Sequence, residues 1–171
     1  SRLEKVEKEL EELAREDKER IKRVIDDIRR LVREDEERIK EMHKKTEDIV
    51  RAIEEEDRDR EELKRLLERL EEESRRMADE SRRTNEEIRR KVEKVVEESK
   101  KTNEEIRKRV EDAGADERIK KRVEKLKRDS KRLIDELRKE LEEVVKRSED
   151  LIKENRDTVK EVSDRIREKA R

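Results

Sequence analysis

Few residues in this sequence are suited to chemistry. There is one histidine, His43, and no cysteine. His43 has Glu47 one helical turn ahead, a spacing that suits a surface ion pair or the edge of a polar layer. Without cysteine there is no thiol nucleophile, and a lone histidine excludes a His-rich zinc site within one chain. No nucleophile triad is legible around it either. A di-iron bundle needs two Glu-x-x-His motifs, and Lys40 stands where the glutamate before His43 would be. With 55 acidic residues, neighbouring carboxylates are inevitable and give no signal of acid–base catalysis. Gly114 is the single glycine, so no glycine-rich phosphate loop exists. The sequence predicts no enzyme activity, no metal and no cofactor.

What remains is a set of small polar residues placed with a fixed period. Ser81-Arg82-Arg83-Thr84-Asn85-Glu86-Glu87-Ile88 returns 18 residues later as Ser99-Lys100-Lys101-Thr102-Asn103-Glu104-Glu105-Ile106. Asp17 returns as Asp35, and Ser130 as Ser148, at the same spacing. Five turns of an α-helix take about 18 residues, so each repeat returns to one helix face, as in straight helices packed side by side.

Composition agrees with long helices. The 171 residues are 64% charged and 27% hydrophobic, with no proline and no aromatic side chain. Disorder usually combines low hydrophobicity with high net charge and no periodicity. Here 54 basic residues nearly cancel the acidic ones. Apolar residues recur at helical spacing, through Leu3, Val6, Leu10 and Leu13, then Ile21, Val24, Ile28 and Leu31. A net charge of −1 and the lack of aromatic stacking platforms argue against a nucleic-acid partner. No apolar run is long enough to span a membrane, and no signal or transit segment is visible. A soluble protein is expected, cytoplasmic on recombinant expression. Residues 1–56 carry a net −4 (16 basic, 20 acidic) and residues 116–171 a net +4 (20 basic, 16 acidic). That asymmetry suits packing of these two segments against each other.

Two breaks divide the chain. In Asp112-Ala113-Gly114-Ala115-Asp116, Gly114 suits the left-handed position that ends a helix, and Asp116 a helix N-cap. Around Asp57 and Asp59 the apolar stripe lapses, and Asp59 with Glu62 resembles a capping box. The expected fold is all-α: an elongated up-down-up antiparallel three-helix bundle with long straight helices of about 55 residues. The chain is expected to form a single helical-bundle domain, 1–171, with helices at about 1–56, 59–112 and 116–171.

Hairpin geometry tests this division. Asp17 and Ser99 each lie 41 residues from Arg58, and Asp35 and Ser81 each lie 23 from it. Ser99 and Ser130 lie 15 before and 16 after Gly114; for Ser81 and Ser148 the distances are 33 and 34, and for Ser74 and Asn155 they are 40 and 41. Turns placed by capping signals thus align three polar layers: Asp17/Ser99/Ser130, Asp35/Ser81/Ser148 and His43/Ser74/Asn155. Asn85 and Asn103 flank the seam and are expected half-exposed. Aliphatic layers give stability but let helices slide. A buried polar group without a partner costs about 1–3 kcal/mol, so these layers penalise every register but one. On this reading, changing both Ser81 and Ser99 to valine preserves or raises stability while loosening specificity.

Together these residues resemble de novo designed straight helical bundles with buried hydrogen-bond networks. The resemblance spans the whole chain and carries no catalytic or binding residue. It implies a structural scaffold without natural biochemical activity, and the hairpin spacing and aspartate layers favour a monomer that needs no partner. The alternative is a self-assembling homo-oligomer subunit, in which 1–112 is one continuous helix and 116–171 packs back on it. That alternative draws on the absence of glycine or proline from Asp57-Arg58-Asp59.

Overall fold

The structure, a computed structural model, describes residues 2–55, 59–114 and 116–169. The described residues form three α-helices: α1 (Arg2–Glu55), α2 (Arg60–Asp112) and α3 (Glu117–Lys169). The continuous helix over 1–112 is therefore not formed, because α1 ends at Glu55 and the chain returns as α2. Asp57 and Arg58 lie outside the described residues.

Capping chemistry sets the starts of α2 and α3 and the end of α2. Asp59 Oδ1 accepts from the backbone N–H groups of Glu61 at 2.6 Å and Glu62 at 3.1 Å. Asp116 Oδ1 accepts from Ile119 N at 3.1 Å. Each satisfies donors that the first helical turn leaves without an intrahelical acceptor. At the end of α2, Gly114 takes φ +59°, and its N–H donates to the Glu111 carbonyl at 3.2 Å. Nothing lies within 4 Å of where a Cβ would project, so a substitution here meets backbone strain and no clash. Gly114→Ala is expected to cost about 1–2 kcal/mol and Gly114→Ile more, measured by thermal or chemical unfolding. Asp116→Ala is expected to cost about 1 kcal/mol, read from the same unfolding curves.

The chain divides into two compact units, Ser1–Arg30 with Glu87–Glu142, and Leu31–Glu86 with Glu143–Arg171. Each contains a segment of all three helices. In the first unit α1 and α2 run antiparallel, since Glu9 pairs with Arg109, Asp17 with Ser99 and Asp27 with Lys91. In the same unit α1 and α3 run parallel, with Glu7 on Arg118, Lys18 on Asp129 and Arg29 on Glu140. The second unit repeats both relations, through Arg38 on Glu80 and Lys45 on Glu73, and through Glu36 on Arg147 and Glu54 on Arg165. The acidic first segment thus meets the basic third. Pairs this exposed contribute about 0–1 kcal/mol each and serve mainly to disfavour wrong pairings.

Apolar burial holds each unit. In the first, Leu10, Ala14, Ile106, Val110, Ile119 and Val123 form one cluster. In the second, Ile39, Met42, Ile53, Leu63, Leu67, Leu70, Met77, Ala78, Ile152, Val159, Val162 and Ile166 form another. Leu3 departs from the sequence expectation: it is 41% exposed, in the first turn of α1 where the facing helices offer it no cover.

Candidate functional site

The polar residues on the seams meet inside the units, one aspartate in each beneath two serines. In the first unit Ser99 Oγ and Ser130 Oγ both donate to Asp17 Oδ2 at 2.9 Å. The two hydroxyls stand 3.0 Å apart. Each hydroxyl carries one proton and both donate to the Asp17 carboxyl oxygen, so the Ser–Ser approach carries none. In the second unit Ser81 Oγ donates to Asp35 Oδ2 at 2.9 Å, while Ser148 Oγ lies 2.8 Å from Ser81 and 3.4 Å from Asp35. Asn85 Nδ2 donates to Ser148 at 3.1 Å. Here the protons run in line, from Asn85 to Ser148 to Ser81 to Asp35. Asp17 is 2% exposed, and Ser81 and Ser99 are 0%, so water does not compete for these bonds.

An arginine, a threonine and a glutamate close each layer. Arg38 reaches Asp35 Oδ1 at 3.3 Å, Thr84 Oγ1 at 3.4 Å and Glu80 at 3.0 Å. Arg20 holds the same place in the first unit, with Thr102 Oγ1 at 2.7 Å, Asp17 Oδ1 at 3.6 Å and Glu98 at 4.0 Å. The longer approach leaves Asp17 Oδ1 and Arg20 Nε without a hydrogen bond among the described residues. Sequence reasoning missed these six residues. The signal was present: Arg20 and Arg38, Thr84 and Thr102, and Glu80 and Glu98 are each 18 apart.

The third layer is smaller than expected. Ser74 Oγ donates to Asn155 Oδ1 at 2.7 Å, and His43 takes no part. His43 is 59% exposed, with Nε2 3.0 Å from the Glu47 carboxylate. The reason is helical phase: Met42 and Thr46 face inward, and the next residue after Met42 is rotated by about 100° around the axis. Thr46 is buried instead and donates to the Met42 carbonyl at 2.9 Å. Asn85 is buried rather than half-exposed, because Ser148 gives it an acceptor, while Asn103 stays half-buried.

These contacts reverse the expected effect of the double valine substitution. Ser81 and Ser99 each give a proton to a buried carboxylate, so removing them strips a donor from Asp35 and Asp17. Ser81→Val and Ser99→Val are each expected to destabilise by about 1–3 kcal/mol in chemical denaturation, an unchanged midpoint being the contrary result.

Among the described residues, no group of three or more His, Cys, Asp or Glu is arranged to hold a metal ion, and no helix is long and apolar enough to cross a membrane. No family model matches the sequence, and no curated protein does. Among solved structures, one described as a computationally designed three helix bundle matches with a TM-score of 0.57 and 22% identity, over 98% of this chain and 91% of that one. The two share the three-helix-bundle fold. The resemblance to designed bundles therefore extends from the charged surface and the repeats to the fold itself.

Proposed function

We propose that the protein is a structural scaffold: a three-helix bundle whose buried polar layers specify helix register, with no catalytic activity and no required partner. The observation that carries this reading is the Asp/Ser/Ser layer, made once in each unit from all three helices. Such a layer is satisfied only when three particular residues meet, which is what a register device requires. The absence of cysteine, the exposed position of the one histidine and the burial of every Ser–Asp pair of the layers support the non-catalytic reading. The homo-oligomer reading rested on a helix continuous through Arg58, and α1 and α2 are separate helices.

Light scattering on a sizing column tests the monomer. A mass near 21.1 kDa that does not change with concentration fits the proposal. A multiple of that mass, with a melting temperature that rises with concentration, would sink it.

A further inference from the structure

In the second unit α2 and α3 leave between them a groove with a cavity of about 480 Å³. Its floor is apolar, built from Ala78, Ile152 and Val159, all buried. Its walls carry five basic side chains against two acidic ones. Two of the five are paired, Arg82 with Glu149 outside the groove and Arg167 with Asp164 and with Glu71 of the groove wall. Arg75, Arg156 and Lys160 are exposed and form no ion pair among the described residues, so the groove keeps an excess of positive charge. The α2/α3 groove of the first unit makes the contrast. It has a similar volume, about 530 Å³, and an apolar floor of Val92, Val96 and Leu141, but its three basic and three acidic side chains balance.

We propose that the groove lined by Arg75, Arg156 and Lys160 is a binding site for small amphiphilic anions, an alkyl chain ending in a single carboxylate. Its volume falls in the range of small-molecule sites, but its lining is mostly polar and charged around a small apolar floor, which suits a ligand with a charged headgroup. An alkyl chain laid over Ala78, Ile152 and Val159 removes apolar surface from water. A carboxylate at the rim supplies the counter-charge that the three cations lack, and arginine offers it two parallel donors. A cationic or neutral amphiphile of the same length gains the first contribution and not the second. The ligand is therefore selected by headgroup charge, and the balanced groove of the first unit provides no such selection.

Decanoate below its micellar concentration is the probe, titrated into the full chain by calorimetry and by amide chemical shifts. Saturable binding with shifts concentrated on residues 74–82 and 152–163 is expected, at least about tenfold tighter than decyltrimethylammonium. The variant Arg156→Glu/Lys160→Glu changes only exposed side chains and is expected to weaken decanoate about tenfold or more. Lys100→Glu/Arg138→Glu, in the balanced groove, is expected to leave binding unchanged. Equal affinity for the two amphiphiles, or shifts spread along all three helices, overturns the proposal. So does a doubled mass without ligand that Arg156→Glu/Lys160→Glu abolishes, since the groove then belongs to a second copy of the chain.

Discussion

Replacing Asp35 by alanine is expected to lower the free energy of unfolding by about 2–4 kcal/mol. The carboxylate is the terminus of a chain of donors, and its loss strands Ser81 Oγ in a site with no exposure to water. Arg38 loses its inward partner too, but its side chain is 32% exposed, so solvent can screen that charge and its share of the loss is small. The same change at Asp17 is expected to cost at least as much, because Ser99 and Ser130 both give their protons to Asp17 Oδ2 and lose that acceptor together. Replacing the whole layer at once, Asp35→Leu with Ser81→Ala, Asn85→Leu and Ser148→Ala, is expected to restore or exceed the original stability. No polar group is then left stranded, and the carboxylate's desolvation cost disappears. That variant should also form mixed oligomers, since nothing penalises a slipped helix. Urea denaturation with light scattering measures both effects. A single Asp35→Ala change that costs under about 0.5 kcal/mol would mean that the layer is hydrated and does not specify register.

Much of this arrangement was legible in the sequence, for identifiable reasons. Helix ends were readable because Asp59, Gly114 and Asp116 have backbone roles that few residue types fill. Register was readable because Ser and Asp interrupt apolar stripes, and interruptions at equal distances from a turn have to face each other. The arginine, threonine and glutamate around each layer were hidden by abundance. In a chain with 54 basic residues, Arg20 and Arg38 look like any other surface cation, and only the position of the buried aspartate gives them a role. His43 was assigned inward because its distance from the turn nearly matches that of Ser74. Sequence distance locates a level along a helix and says nothing about direction around it, and there Met42 and Thr46 hold the inward face. The groove between α2 and α3 was not legible at all, because it depends on which cations lack partners once the helices are packed.

Leu70→Ala is expected to cost about 3–5 kcal/mol, the largest loss from any single truncation in the second unit. Leu70 is 0% exposed and sits in a cluster with Leu63, Leu67, Ile53, Val162 and Ile166. Truncation removes its share of apolar burial and opens a cavity that neighbours on long, regular helices cannot readily close. The chain has no aromatic side chain and only 27% hydrophobic residues, so no large neighbour stands ready to fill the space. Leu3→Ala is the matched control: the same atoms are removed from a residue that is already 41% exposed, and a change within about 0.5 kcal/mol is expected. Native-state hydrogen exchange adds where the loss falls. Because the apolar cluster around Leu70 lies within Leu31–Glu86 and Glu143–Arg171, protection should drop most there. An equal drop in Glu87–Glu142 would show that the two units open only together, whereas a drop confined to the second unit would show that each unit's apolar cluster and polar layer sustain it separately.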